Sequence, residues 1–522
     1  MRSLRVYLAS LLTTFVVLET SVLSLQAQVI TTSSFTGKVL DEKEKPVAGA
    51  AIHVVHEPTG TEYDTTTRSD GSFVLRGLRP GGPYKVSTSA ANYPKVDQGG
   101  VYLDIDRGAD LTIHVGVTQD EIVHLETLEV SAGASDQLFD PNRTGGGSYM
   151  TNEDIRELPS GDRSINSLAR LDPRISYNRD PQDRAISVNG MNNRYNSIQV
   201  DGVSANDPFG INANNTAAER NVIPLDSLEA LAVSTSPYYS RNAGFVGAQI
   251  NAITKSGTNQ FHGSAYYTYR GRSAFGGMRM VGMTIDDVSR PLADFSEETF
   301  GATLGGPIIP KRLFFYVAYE KVDENRIAPT PVAATPQATI DQIVAAATSL
   351  GFKPGSAQPP TANKLTDKNI LAKLDWQINS MHRASLRYNK TESSRPTFPG
   401  FGSGISENNF SFDSSWYQQN ISNESYMGQL ISRWSEKLNT ELSYSHSKYH
   451  SERETSPVKQ PYVQIRNVTV PGSSNTSFIT FGTENSSQAN ILDVKTDTAE
   501  VFASYDLTDR QTLQTGFQYE TA

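Results

Sequence analysis

The groups in this chain that could do chemistry are its histidines, its carboxylates and the aromatic residues of its long loops, and their spacing argues against catalysis. The chain has 8 histidines and no cysteine, which removes disulfides, thiolate metal sites and cysteine nucleophiles together. His56-Glu57 begins like a zincin motif, but Gly60 stands where the second histidine ligand should be. His53 and His56 lie three residues apart, which on a strand places them on opposite faces. His446 and His450 share a strand face that also carries Leu442 and Tyr444, so that face reads either as a metal pair or as two histidines on a mixed surface. No nucleophile, metal or carboxylate set has catalytic spacing, so neither enzymatic activity nor a cofactor is expected. The stretch from Thr391 to Glu424 holds Phe398, Phe401, Phe410, Phe412, Trp416 and Tyr417 among Gly, Ser and Asn. It reads as an ordered loop packing its own aromatics or as a ligand surface.

The elements that must position these groups are almost all strands. At 522 residues the chain has room for several domains. Its formal charge of -10 argues against nucleic acid, which selects a basic patch. Outside the N-terminus there is no run of about 18 to 20 apolar residues able to span a bilayer as a helix, although strands of a membrane barrel would escape that test. Arg2, Arg5 and the apolar run Val6 to Leu18 form a targeting segment. Residues 1–27 are therefore expected to be a signal peptide cleaved after Ala27, with an uncleaved anchor as the alternative.

Residues 33–117 show short alternating runs, with Phe35, Gly37 and Val39 on one face, Asp70-Gly71 as a hairpin turn and Pro80-Gly81-Gly82-Pro83 as another. A small β-sandwich is predicted. The residues GKVLDEKEKPVAGAAIHVV and TTTRSDGSFVLRGLRPGGPYKV resemble the carboxypeptidase regulatory-like domain, also grouped with starch-binding-like sandwiches. Residues 118–142 then hold the extended-looking EIVHLETLEVS and a Gly-, Ser- and Asp-rich stretch. Leu125 to Val130 reads either as a last sandwich strand or as a segment that a partner adds to its own sheet.

Residues 143–258 form a further small domain. Thr151 is placed to cap a helix with Asp154, Ser164 to Leu171 reads as a second helix, and Ala185 to Gly190 with Asn196 to Gly202 read as a strand pair. The polar tip of that pair contains Asn192, Asn193, Arg194 and Tyr195. AISVNGMNNRYNSIQVDGV and PLDSLEALAVSTSPYYSRNAGFVGAQINAITKSGTNQFHGSAYY resemble the plug of TonB-dependent outer-membrane receptors of the Oar-like branch, and GGPIIPKRLFFYVAYE is similar to that branch's first periplasmic hairpin. The resemblance implies an energised transporter in the outer membrane with a periplasmic N-terminal domain. By position it makes Leu125, Glu126, Thr127, Leu128, Glu129 and Val130 the TonB box, with TonB and its inner-membrane complex as partners. It also makes Asn192 to Tyr195 candidate ligand contacts at an outward tip, although a structural turn remains the other reading. The resemblance further implies a bulky ligand of siderophore, oligosaccharide or peptide class.

Residues 259–522 carry strand signals independent of any family. Ile370, Ala372, Leu374, Trp376 and Ile378 form one apolar row; Ala384, Leu386 and Tyr388, then Leu313, Phe315, Val317 and Tyr319, then Leu513, Phe517 and Tyr519 form others. Phe261, Gly263, Ala265, Tyr267 and Tyr269 form the row of the first strand. Long and short connections alternate strictly, as extracellular loops and periplasmic turns do. The longest, Asp323 to Lys364, should contain a helix started by Thr335-Pro336 and ended by Gly351. The predicted fold is mainly β: an N-terminal β-sandwich, a small α+β plug domain, and the first part, about nine strands, of an antiparallel transmembrane β-barrel. Plugged transporters use about 22 strands, so a C-terminally truncated chain is expected. An outer-membrane carbohydrate-binding or adhesion protein anchored by the barrel is the competing reading.

Overall fold

The structure, a computed structural model, describes residues 31–105, 108–116, 147–158, 163–177, 184–235, 245–271, 295–326, 328, 335–401, 409–471, 476–486, 490–508 and 511–522. The expected signal peptide and the segment Leu125 to Val130 lie outside the described residues. No helix among them is long and apolar enough to cross a membrane.

The first domain is a sandwich of β1 (Ser33–Leu40), β2 (Ala51–His56), β3 (Thr61–Thr66), β4 (Ser72–Leu78), β5 (Gly81–Ser89), β6 (Val96–Leu103) and β7 (Ala109–His114). One sheet runs β4-β1-β7 and the other β3-β2-β5-β6. Phe35, Gly37 and Val39 point inward as their alternation requires, and Phe35 stacks on Phe73 with ring centroids 6.1 Å apart. Position 37 must be glycine, because a Cβ there would lie 2.7 Å from the Phe73 ring. Two turns differ from expectation. Asp70-Gly71 and Pro80-Gly81-Gly82-Pro83 each carry the chain from one sheet to the other, so neither closes a hairpin, and Gly81 already belongs to β5. Tight-turn residues set local curvature but not which sheet the next strand joins.

The second domain contains β8 (Gly147–Thr151), α1 (Asn152–Glu157), α2 (Ile165–Ala169), β9 (Ile175–Tyr177), β10 (Ile186–Val188), β11 (Ser197–Val200), β12 (Val203–Ser204), β13 (Leu228–Ser234) and β14 (Gln249–Thr254). Thr151 and Asp154 form a capping box at α1, and Ser164 caps α2. The expected pair of β10 and β11 does not form. β10 pairs with β9, whereas β11 runs parallel to β14 in the sheet β12-β11-β14-β13-β8. Leu168, Ile198, Ile223, Leu228 and Ile250 are fully or almost fully buried in its core.

The third region is one antiparallel sheet of nine strands. They are β15 (His262–Gly271), β16 (Ser296–Ile309), β17 (Leu313–Asn325), β18 (Lys364–Gln377), β19 (His382–Thr397), β21 (Tyr417–Arg433), β22 (Leu438–Thr455), β25 (Ile491–Thr508) and β26 (Gln511–Thr521). Each pairs with its neighbour in this order, and the sheet is not closed. The connections alternate long and short as expected. On β18, Ile370, Leu374 and Trp376 are exposed while Leu371, Lys373, Asp375 and Gln377 are buried, so the outer face is apolar and the inner face mixed and polar. The long connections contain α3 (Gln337–Ser349) and a three-stranded sheet of β20 (Phe410–Ser411), β24 (Thr476–Phe481) and β23 (Val463–Thr469). Pro336 occupies the N-cap of α3 rather than its first turn, and no side chain caps the helix.

Candidate functional site

The plug lies against the inner face of the nine-stranded sheet, and polar residues supply much of the joint. It is presented by a loop between β12 and β13 whose own asparagines order it. The Asn212 amide donates to the Thr216 carbonyl at 2.8 Å, Asn214 to Ala218 at 2.9 Å, and Asn215 to Asn193 at 3.1 Å. Such side chains replace backbone partners that a loop cannot supply itself. The loop delivers Arg220, whose guanidinium donates to Glu297 at 2.7 Å and to Glu324 at 2.8 Å. Arg184 donates to Glu324 as well, at 3.2 Å. The backbone N–H of Arg220 donates to Asp367 at 3.3 Å, and the Val222 carbonyl accepts from Asn389 and Thr391 at 3.0 Å each.

A second contact lies lower on the sheet. Arg163 pairs with Asp226 at 2.8 Å, sits 4.4 Å over the Tyr266 ring and approaches Glu320 to 3.9 Å. Burial is the largest influence on Arg163 and opposes its charge, but its hydrogen bond to Asp226 and the charges of Asp226, Tyr266 and Glu320 together outweigh it, and its pKa is raised. Further round, Arg387 donates to the Asp201 carboxylate at 3.2 Å, and Arg395 to Glu219 at 2.7 Å. These arginines and glutamates were not among the residues singled out from sequence. The only signal for those on the sheet is that charged residues occupy inward positions of strands whose other face is apolar, as Glu320 does on β17; those in loops, such as Arg220, carry none.

The tip residues divide. Asn192 accepts from the Arg194 N–H at 3.0 Å and caps a single 3-10 turn. Asn193 is buried and donates to the Ala213 carbonyl, so its role is structural. Arg194 and Tyr195 are exposed. Phe209, exposed as well, belongs to the turn whose Gly210 lies against the Arg194 guanidinium.

The aromatic loop residues mostly pack on each other. Phe398 meets Trp416 edge to face at 5.1 Å, and Phe410, Phe412 and Phe481 join Ile343 and Ala347 of α3 in one buried cluster. His446 and His450 do not share a ligand: they contact Asp497 and Asp493 respectively, each at 2.9 Å.

The sandwich sits on the rim formed by the short turns. Arg68 and Arg76 both reach Asp506, at 2.7 and 2.9 Å. Arg79 pairs with Asp375 at 3.1 Å, Thr66 donates to Glu436 at 3.2 Å, and the Asn259 N–H donates to the Pro58 carbonyl at 2.9 Å.

Comparison with known proteins agrees with this architecture. The family described as carboxypeptidase regulatory-like domain matches residues 34–116, and that described as outer membrane beta barrel domain matches residues 253–342. The chain thus carries an N-terminal carboxypeptidase regulatory-like domain, and the start of its open antiparallel sheet matches an outer membrane beta barrel domain. Its curated relatives are TonB-dependent. It is 26% identical over 382 residues to the TonB-dependent transporter Oar of Myxococcus xanthus, covering 69% of this chain and 34% of that protein. It is 29% identical over 187 residues to the probable TonB-dependent siderophore receptor PirA of Acinetobacter baumannii, covering 32% of this chain and 24% of the relative. Among solved structures, the outer membrane transporter YddB of Escherichia coli superposes with a TM-score of 0.49 at 14% identity, covering 72% of this chain and 48% of that one. The chain therefore spans well under two thirds of the length of the relatives it matches.

Proposed function

We propose that these domains belong to an outer-membrane receptor for TonB-dependent import of a bulky ligand of siderophore, oligosaccharide or peptide class. The observation that carries this reading is a separate α+β domain seated on the inner face of an outer-membrane sheet. Many of the contacts that hold it are ion pairs and hydrogen bonds, which can be exchanged for water as the domain moves. In this reading the long loops and the exposed tip residues Asn192, Arg194 and Tyr195 face the ligand. Leu125 to Val130 is the strand offered to TonB on the periplasmic side, and the sandwich is periplasmic as well. A sandwich seated on the short-turn rim, away from the long loops, weighs against the adhesion alternative.

The test is removal of Leu125 to Val130 from the full-length protein. Uptake of the cognate ligand should be lost while its binding at the cell surface persists. Undiminished uptake would overturn energised import.

A further inference from the structure

Where sandwich, plug and sheet meet, the structure leaves a partly open cavity of about 180 Å³ lined by His56, Arg79, Asp201, Glu229, Lys373, Asp375 and Arg383 among others. Most of its charges are already committed. Asp201 accepts from Thr254 and Arg387, and Lys373 donates to the Thr254 carbonyl at 3.0 Å. Arg79 uses one nitrogen, Nη1, on Asp375 and Ser256. What is left over is cationic. Nε and Nη2 of Arg79 and Nη1 of Arg383 are buried without a hydrogen-bond partner among the described residues, and the two residues are only 7% and 8% exposed.

Buried guanidinium N–H groups without acceptors are rare because the desolvation they suffer goes uncompensated. The only uncommitted carboxylate on the cavity wall is Glu229, which forms no ion pair with either arginine among the described residues. Burial pushes its carboxyl up, against the opposing charges of Lys255, Lys373 and Arg79.

We propose that this cavity binds a small oxyanion, phosphate in size and geometry, between the guanidinium groups of Arg79 and Arg383. Its volume exceeds the roughly 30 Å³ that one water occupies in the liquid several-fold, and two planar forks of donors match an oxyanion better than they match water. Because Arg79 comes from the sandwich and Arg383 from β19, the anion joins the N-terminal domain to the sheet.

The test is titration of the full chain in detergent with inorganic phosphate at constant ionic strength, read by calorimetry and by thermal unfolding. Sulfate and acetate serve as parallel arms: a tetrahedral anion site answers to sulfate and phosphate, a carboxylate site to acetate. Saturable binding near one per chain and a rise in Tm are expected. Arg383→Gln should weaken binding about tenfold or more, the effect of losing one charge-assisted contact. If that variant does not fold, Arg79→Lys, which keeps the charge and loses the fork, should show the same loss. Glu229→Gln should bind phosphate at least as well as the wild type. The proposal fails if the wild type shows no saturable binding, if Arg383→Gln binds equally, or if binding emerges only in Glu229→Gln, which would make Glu229 the partner of Arg383.

Discussion

Arg220 shows what single residues contribute to the joint between plug and sheet. Its side chain is 1% exposed and its two partners, Glu297 and Glu324, lie 77 and 104 residues away in sequence. Removing one member of a buried ion pair strands the charge of the others, at a cost of about 3 to 5 kcal/mol. Arg220→Ala should therefore loosen the plug, lowering stability by up to that amount because Arg270 still faces Glu297 and Arg184 and Arg326 still face Glu324, as measured by denaturant unfolding followed with plug-specific proteolysis. Equal stability would mean that the remaining partners of the two glutamates suffice without Arg220. None of this pairing was legible in the sequence, because an arginine in a loop and a glutamate on a strand carry no mark of each other. The outer rows were legible for the opposite reason. Lipid selects every second residue of the same strand, so the signal is local.

At the level of elements, the alternation of long and short connections was readable, while the company each strand keeps was not always so. β11 joins β14 in parallel across some fifty residues, and nothing between Ala185 and Gly202 distinguishes that from a hairpin. The helix in the longest connection was visible through its Thr335-Pro336 start and Gly351 stop, and its Ile340, Ile343, Val344 and Ala347 all pack in the cluster with Phe410, Phe412 and Phe481. That cluster ties three separate loops into one cap above the sheet. Phe412 is fully buried there, and Phe→Ala at such a site costs about 3 to 5 kcal/mol. Phe412→Ala should expose residues 337–349 and 463–481 to protease while the nine-stranded sheet stays protected. Cleavage patterns identical to the wild type would show that α3 is held by other means.

For the whole molecule, the chief addition is that the sandwich is docked, which no residue pattern announced. His56 reports on that docking. It is buried, lies tilted against the Tyr84 ring with centroids 4.7 Å apart and contacts Thr59 at 2.7 Å. Burial first, and then the facing charges of Arg79 and Arg383, hold its pKa well below 6.5. A histidine whose pKa is depressed on docking stabilises the docked state fully above its undocked value, and that stabilisation is lost as pH falls below about 6.5 towards the docked value. Cross-linking between Thr66→Cys and Glu436→Cys, in a chain with no other thiol, should fall between pH 7.5 and 5.5. His56→Gln should flatten that profile; an unchanged slope would assign the effect elsewhere.

The position of β8 has a mechanical consequence. It is the outermost strand of its sheet, five residues long, and pairs only with β13 from Thr151↔Ala230 to Gly147↔Ser234. Tension arriving along the chain at residue 147 meets one end of this strand. A pull directed across the strand there would open the ladder like a zipper, a bond or two at a time, rather than shear it as a block. Under such a pull the force needed to begin unravelling this domain is set by a single rung rather than by the ion pairs behind it.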